Sequence, residues 1–315
     1  MMWDVIKIAD QTCYQSLGLL FVALGVLISI RFVGFPDLTA DGSFTFGAAT
    51  YALCIKGGFG AITSLAAPIL VGCIAGCITG VLNQWLRIGR ILSSVLVMIT
   101  LLTLAPYLSY GGSLGLLSES HFLNALQQRD GNFTKRLIPP KLAGGSLHFG
   151  FIAVCLLVAA AFWTGILFFF NSRLGIRLRY LGSARAPNLI DRKHRSLMIC
   201  LGLAISNGLI AMGGSIEAQR AGGFHSGMGL GIMVVSLACL IVGESLVRAR
   251  VKRTQLRLPE ELIAVPLGVL AYQLGLQLLL QTGFTFVDVR LTAVTVLLIF
   301  LAVASHRHPN TESLF

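Results

Sequence analysis

Eight stretches of this chain run for roughly a bilayer's worth of residues with hardly a charge, and that pattern decides the fold class. They lie near residues 12–34, 59–82, 91–110, 149–170, 197–217, 226–247, 260–282 and 288–305. About 20 mostly apolar residues in a helix cross the hydrocarbon core. In lipid, every backbone N–H and C=O must pair within the protein, so such stretches cross as helices. A ninth stretch, Phe44 to Ile55, is apolar but too short alone. Pro36-Asp37-Leu38-Thr39-Ala40-Asp41-Gly42-Ser43 completes its length, and brings in a proline, a glycine and two carboxylates. The expectation is a discontinuous segment over 36–56. Asp41-Gly42-Ser43 would cap a helix from 43 to 56, and the irregular backbone would be buried in protein or line a cavity. The chain therefore reads as an all-α polytopic membrane protein with about nine transmembrane segments, in one domain over residues 1–315.

Composition agrees: 55% of the residues are hydrophobic and 12% charged, against about 25% charged in soluble domains. The net charge of +11 does not indicate nucleic acid, because the basic residues lie between the apolar stretches. Their distribution instead sets orientation. Sixteen of the 24 Lys and Arg residues fall on one side: Arg31, Arg87, Arg90, seven from Arg173 to Arg195, five from Arg248 to Arg257, and Arg307. That side is expected to be cytoplasmic. Nine crossings then place the N-terminus outside and the C-terminus inside. Residues 111–148 become an external loop, 171–196 a basic cytoplasmic loop, and 305–315 a short cytoplasmic tail. The first residues hold Asp4, Asp10 and Lys7 and lack the basic start and cleavage site of a signal peptide. The first apolar run is thus expected to stay in the membrane.

The polar residues inside the apolar zone are few. Gln273, Gln277 and Gln281 share one helix face. Amides facing lipid would forfeit hydrogen bonds at a few kcal/mol each, so they should face protein or water. Asp37, Asp41, Glu217 and Glu244 are the carboxylates of this zone, and intramembrane ionisable groups are functional candidates. Glu217 and Glu244 lie near helix ends, where ion pairs with Arg220 and Arg248 are expected. Gly72, Gly76 and Gly80 form a small-residue seam suited to close helix contact. Gly42–Gly47 and Gly227–Gly231 interrupt apolar segments in the two halves, as paired broken helices around a transport site do. The seven cysteines lie in or beside apolar runs without a CxxC pair and read as small buried thiols. No glycine precedes a lysine, so there is no Walker A sequence, and no nucleophile–base–orienter set stands out.

Two stretches carry a resemblance. One is Phe35-Pro36-Asp37-Leu38-Thr39-Ala40-Asp41-Gly42-Ser43-Phe44-Thr45-Phe46-Gly47. The other begins Leu174-Gly175-Ile176-Arg177-Leu178-Arg179-Tyr180-Leu181-Gly182. It continues through Gly202-Leu203-Ala204-Ile205-Ser206-Asn207-Gly208, Gln219, Gly223-Phe224 and Ile241-Val242-Gly243-Glu244. Together they resemble the permeases of ATP-binding-cassette importers that include the branched-chain amino acid and ribose permeases, closest to the tryptophan/tyrosine-type subgroup. The resemblance implies a type II importer permease fold and import of a small solute by alternating access. It implies as partners a second permease copy, a cytoplasmic ATPase subunit that holds ATP and Mg, and an external substrate-binding lipoprotein. This chain itself would hold no cofactor and would sit in a bacterial inner membrane. The resemblance also implies a coupling helix in the basic loop, here Gly182, Ser183, Ala184, Arg185, Ala186, Pro187, Asn188, Arg192 and Lys193. Relatives usually carry an acidic residue and Asn-Pro after that glycine, and this chain departs from them there. The expected pathway residues are Asp37, Thr39, Asp41, Gly42, Ser43, Gln219, Gly243, Glu244, Gln273 and Gln277. The alternative reading is an ion-coupled secondary transporter.

The charge asymmetry predicts sidedness. In a cysteine-free background, single cysteines at Asn132 and Arg253 should label from opposite faces of intact cells. Labelling of both by one impermeant reagent would refute the topology.

Overall fold

A computed structural model describes residues 2–60, 63–109, 111–116, 163–181, 192–251 and 258–281, together with Thr295. Helix α1 (Met2–Leu27) continues into a π-helical turn (Ile28–Val33). There follow α2 (Thr39–Lys56), α3 (Thr63–Gln84), α4 (Arg90–Leu108), the short strand β1 (Ser113–Gly115), α5 (Arg173–Leu181) and α6 (Arg192–Arg220). The last described elements are β2 (Gly223–His225), α7 (Ile232–Val251) and α8 (Leu258–Gln281). Residues 163–171 are also helical. The two strands pair antiparallel, with Leu114 opposite Phe224.

Six described helices are long and apolar enough to cross a membrane: Thr12–Val33, Thr63–Gln84, Arg90–Leu108, His194–Arg220, Ile232–Val251 and Leu258–Leu278. Each overlaps an expected span, and the largest displacement is at one start. The 226–247 helix begins instead at Ile232, because Gly227–Gly231 form turns ahead of it. The expected 149–170 span is described only from residue 163. The 288–305 span lies outside the described residues except for Thr295.

The discontinuous 36–56 segment is corrected in detail. Irregular backbone is confined to residues 34–38, and α2 is a continuous helix from Thr39. Gly42 and Gly47 therefore sit inside a helix and do not break it. The turn before α2 has its own stop signal. Gly34 adopts φ +68°, a left-handed conformation that closes the π-helical turn and suits glycine best. The Asp37 carboxylate then accepts a hydrogen bond from the Thr39 N–H at 3.0 Å. That satisfies one of the donors left open at any helix start.

Helix α6 is the axis of the molecule, packing against α1, α2 and α3. Its apolar window is 72% buried and that of α1 78%, against 33% for α3 and 28% for α4. The outward faces of α3 and α4 carry Leu70, Ile74, Leu96 and Ile99, all exposed, as lipid-facing surfaces require.

Small residues bring the helices to α6. A Cβ on Gly72 or Gly76 would overlap the carbonyl oxygen of Asn207 or Leu203, and one on Gly80 would lie 2.6 Å from the Cys200 sulfur. The glycine seam is thus an internal helix contact. From α1, Gly25 approaches the Ser206 carbonyl, and the Ser206 hydroxyl donates back to the Gly25 carbonyl at 2.7 Å. From α2, Gly47 lies against Ala211. A separate pair, Gly243 and Gly268, brings α7 against α8.

At one end of the bundle, an ion-pair cluster ties α1 to α7. Arg31 donates to the Glu244 carboxylate at 2.6 and 3.2 Å, and Arg248 donates to it at 2.8 Å. The Glu244–Arg248 pair is the expected one, and Arg31 is an addition.

Overpacking a tight contact costs about 1–3 kcal/mol. Gly76→Ala should lower the apparent melting temperature of the detergent-solubilised protein. Gly275→Ala, at a helix position with nothing within 4 Å, should leave it unchanged or slightly raised. Equal behaviour of the two variants would show that the α3–α6 seam is not tight.

Candidate functional site

Two irregular junctions meet at one place. Asp41 lies in the first turn of α2, and its carboxylate reaches across to the start of α7. It accepts from the Gly231 N–H at 2.8 Å and from the Met233 N–H at 2.9 Å. The expectation that Asp41-Gly42-Ser43 caps its own helix is therefore corrected: Asp41 caps α7 in trans. An anionic acceptor suits the positive end of the α7 dipole. Gly229 makes the approach possible, since any Cβ there would overlap the Asp41 carbonyl and the Thr45 hydroxyl.

Deeper in the bundle, Asn207 of α6 joins α2. Its Nδ2 donates to Asp37 Oδ2 at 2.6 Å and to the Leu203 carbonyl at 3.0 Å, and its Oδ1 accepts from the Ser43 hydroxyl at 2.7 Å. Thr39 and Thr79 share a hydroxyl–hydroxyl bond of 3.0 Å, which adds α3. All five side chains are buried. With each of these polar groups partnered, the network can persist away from water.

Beside these junctions, at the end of the bundle opposite the Arg31–Glu244 cluster, lies a cavity of about 290 Å³. Gln15 of α1, Phe44 of α2, Glu217 and Arg220 of α6, Met228 of the turn before α7, and Gln273 of α8 are among the residues lining it. Glu217 and Arg220 form the expected ion pair through two bonds. Arg220 Nε donates to Glu217 Oε2 at 2.8 Å, and Arg220 Nη2 donates to Oε1. Gln277 donates to Gln15 Oε1 at 2.7 Å, and Gln273 makes a long contact of 3.5 Å to the Gln15 carbonyl. The glutamine face of α8 thus meets α1, as the cost of exposing amides to lipid requires. The Gln281 side chain lies outside the described residues.

The expected site residues divide among several places. Asp37, Thr39 and Ser43 enter the buried network. Asp41 holds α7, and Gly42 packs against the Met98 backbone. Gln273 lines the cavity, and Gln277 lies beside it on Gln15. Gln219 is buried near the last turn of α6, with no partner for its Oε1 among the described residues. Gly243 sits in the α7–α8 contact, and Glu244 stands at the far end in the charge cluster. Of the expected coupling residues, Gly182, Ser183, Ala184, Arg185, Ala186, Pro187 and Asn188 lie outside the described residues. Arg192 and Lys193 open α6. Within the expected 171–196 loop, α5 and the start of α6 are helical, and residues 182–191 lie outside the described residues. Gln15 was not singled out from sequence, and Asn207 stood only within the stretch that carries the resemblance, with no role of its own. Gln15 is an amide in an apolar run, the same signal that marked the α8 glutamines.

Removing the Asp41 carboxylate would open two N–H groups at the start of α7. Losing a cap costs about 1–2 kcal/mol. Asp41→Ala should lower stability by that order and raise amide exchange at residues 231–235, as mass spectrometry would detect. Unchanged exchange there would show that the contact does not hold the helix start.

Comparison with known proteins fits this architecture. No protein-family model matches the chain, and no solved structure matches it. A tyrosine transport system permease protein of Clostridioides difficile (strain R20291) is 32% identical over 292 residues, covering 92% of this chain and 89% of that protein. An uncharacterised protein of Rickettsia prowazekii (strain Madrid E) is 28% identical over 288 residues, covering 91% of this chain and 94% of that protein. The match to the first runs through the buried α2 junction and the α6 axis alike, and on it the chain belongs to the family of tyrosine-type transport permeases, multi-pass membrane subunits of transport systems and not enzymes.

Proposed function

We propose that this chain is the permease subunit of a bacterial ATP-driven importer that takes up a small solute, an amino acid. The observation that carries the reading is the similarity to the tyrosine transport system permease along 92% of the chain. The missing Walker A sequence supports a division of labour, with ATP and Mg bound on a separate cytoplasmic ATPase. The remaining partners are a second permease copy and an external binding lipoprotein that delivers the solute. Residues 1–315 act as a single transmembrane domain, with the N-terminus outside and the C-terminus in the cytoplasm of the inner membrane. This orientation puts the Glu217–Arg220 cavity on the external side and the Arg31–Glu244 cluster on the cytoplasmic side. Residues 182–193 then lie on the cytoplasmic side, where the coupling helix would meet the ATPase.

The cavity and the ion cluster fit alternating access. The bundle is open beside α1, α2 and α6 at one end. At the other, Arg31, Glu244 and Arg248 hold α1 against α7. The ion-coupled alternative gains nothing from buried Asp37 or partly buried Asp41. Asp37 and Asp41 both accept bonds from backbone N–H groups and support helix starts.

The purified chain alone should hydrolyse no ATP, whereas co-expression with its ATPase should give a stable complex with measurable turnover. Solute accumulation by the chain alone in liposomes, driven by an ion gradient, would overturn the reading in favour of a secondary transporter. Arg185→Glu should leave membrane abundance intact, since sidedness follows summed charge, yet weaken ATPase assembly by tenfold or more, as loss of a central interface contact of about 2 kcal/mol does.

A further inference from the structure

The cavity between α1, α2, α6 and α8 has a specific chemistry. Among the described residues that line it, the charged ones are Glu217 and Arg220, opposite in sign and paired with each other. Glu217 and Arg220 keep 23% and 30% of their side chains exposed, so neither is sealed into the protein. Gln273 is 8% exposed, and its Oε1 has no hydrogen-bond partner among the described residues. A buried amide oxygen left open costs about 1–3 kcal/mol, and a bound donor would recover it. Phe44, Leu19 and Met228 supply apolar wall. The volume of about 290 Å³ sits at the small end of ligand sites, which run from about 300 Å³ upward.

We propose that this cavity is a binding site for a zwitterionic α-amino acid with an apolar or aromatic side chain. The ligand carboxylate would bind Arg220, its ammonium group Glu217, and its side chain the wall around Phe44. The proposal deepens the permease reading and rests on it. Net charge decides the class. The Glu217–Arg220 pair is neutral as a unit, and a zwitterion entering it exchanges one set of opposite charges for another. A simple anion or cation would satisfy one member and leave the other facing low dielectric without a partner, which is costly. Arginine favours this role because its planar fork bonds carboxylates through two N–H groups.

The test uses the full-length chain in nanodiscs, with radiolabelled L-tyrosine, L-phenylalanine and L-leucine as probes. Saturable binding of at least one is expected. The corresponding amine without the carboxylate, and the acid without the ammonium group, should each compete at least tenfold more weakly. The variants should then split the two halves. Glu217→Gln should weaken the amino acid and the amine tenfold or more and spare the acid. Arg220→Gln should weaken the amino acid and the acid and spare the amine. Should either single variant fail to fold, the double variant, which leaves no unpaired charge, should fold and lose the amino acid. No saturable binding of the three probes, equal losses for all three ligand types, or full binding by the double variant would each overturn the site. Uptake by the chain assembled with its ATPase and external protein is measured alongside. Uptake that persists with unaltered binding in the variants overturns the site while leaving the permease reading in place.

Discussion

Close backbone contact around one helix sets the rest of this structure. In lipid there is no hydrophobic gain from moving a leucine off the bilayer onto a neighbouring helix, so packing must come from short-range contact and buried hydrogen bonds. Helix α6 receives α1 through Gly25, α2 through Gly47 and α3 through Gly72, Gly76 and Gly80. At each point the missing side chain lets one backbone lie on another. Ser206 and Asn207 then use the short distance, one donating to the α1 backbone and the other bridging to α2. The glycines and the polar residues are thus parts of one device.

That device also explains why α2 differs from its neighbours. It carries Thr39, Asp41, Ser43, Thr45 and Thr50, and it is not among the helices apolar enough to be recognised as spans. Contacts with α3, α4 and α6 surround it. A helix enclosed by other helices meets no lipid, so its polar side chains need only internal partners. Most find one: Thr45 and Thr50 bond back to carbonyls in the preceding turn, and Ser43 reaches Asn207.

Much of this was legible from sequence because hydrophobic run length reports directly on bilayer thickness. The spans of α1, α3, α4, α6 and α8 follow from it, and the Gly72–Gly80 seam and the Glu217–Arg220 and Glu244–Arg248 pairs follow from spacing. Other features were not legible, each for a physical reason. Proline and glycine before Phe44 suggested a longer break than the five residues observed. Glycine is permissive and not obligatory for irregular backbone, and tertiary packing kept Gly42 and Gly47 helical. Asp41 has the local sequence of a cap for its own helix, and nothing local reveals that the open N–H groups it serves belong to α7. Arg31 and Glu244 are 213 residues apart, so their pairing depends on how α1 and α7 stack. Gln15 acquires meaning only beside Gln273 and Gln277.

Helix α7 is held at two points by different helices. Its start hangs on the Asp41 carboxylate of α2, and in its second half Glu244 is gripped by Arg31 of the π-helical turn that continues α1. A rod pinned in this way cannot slide along its own axis without releasing one pin. Any displacement of α1 relative to α2 must be taken up by tilting or turning of α7. Since α7 packs on α8 through the Gly243–Gly268 contact, α8 would be carried with it, and with α8 the glutamine that borders the cavity. Two carboxylates on different helices thereby make α7 a crank linking the two ends of the molecule.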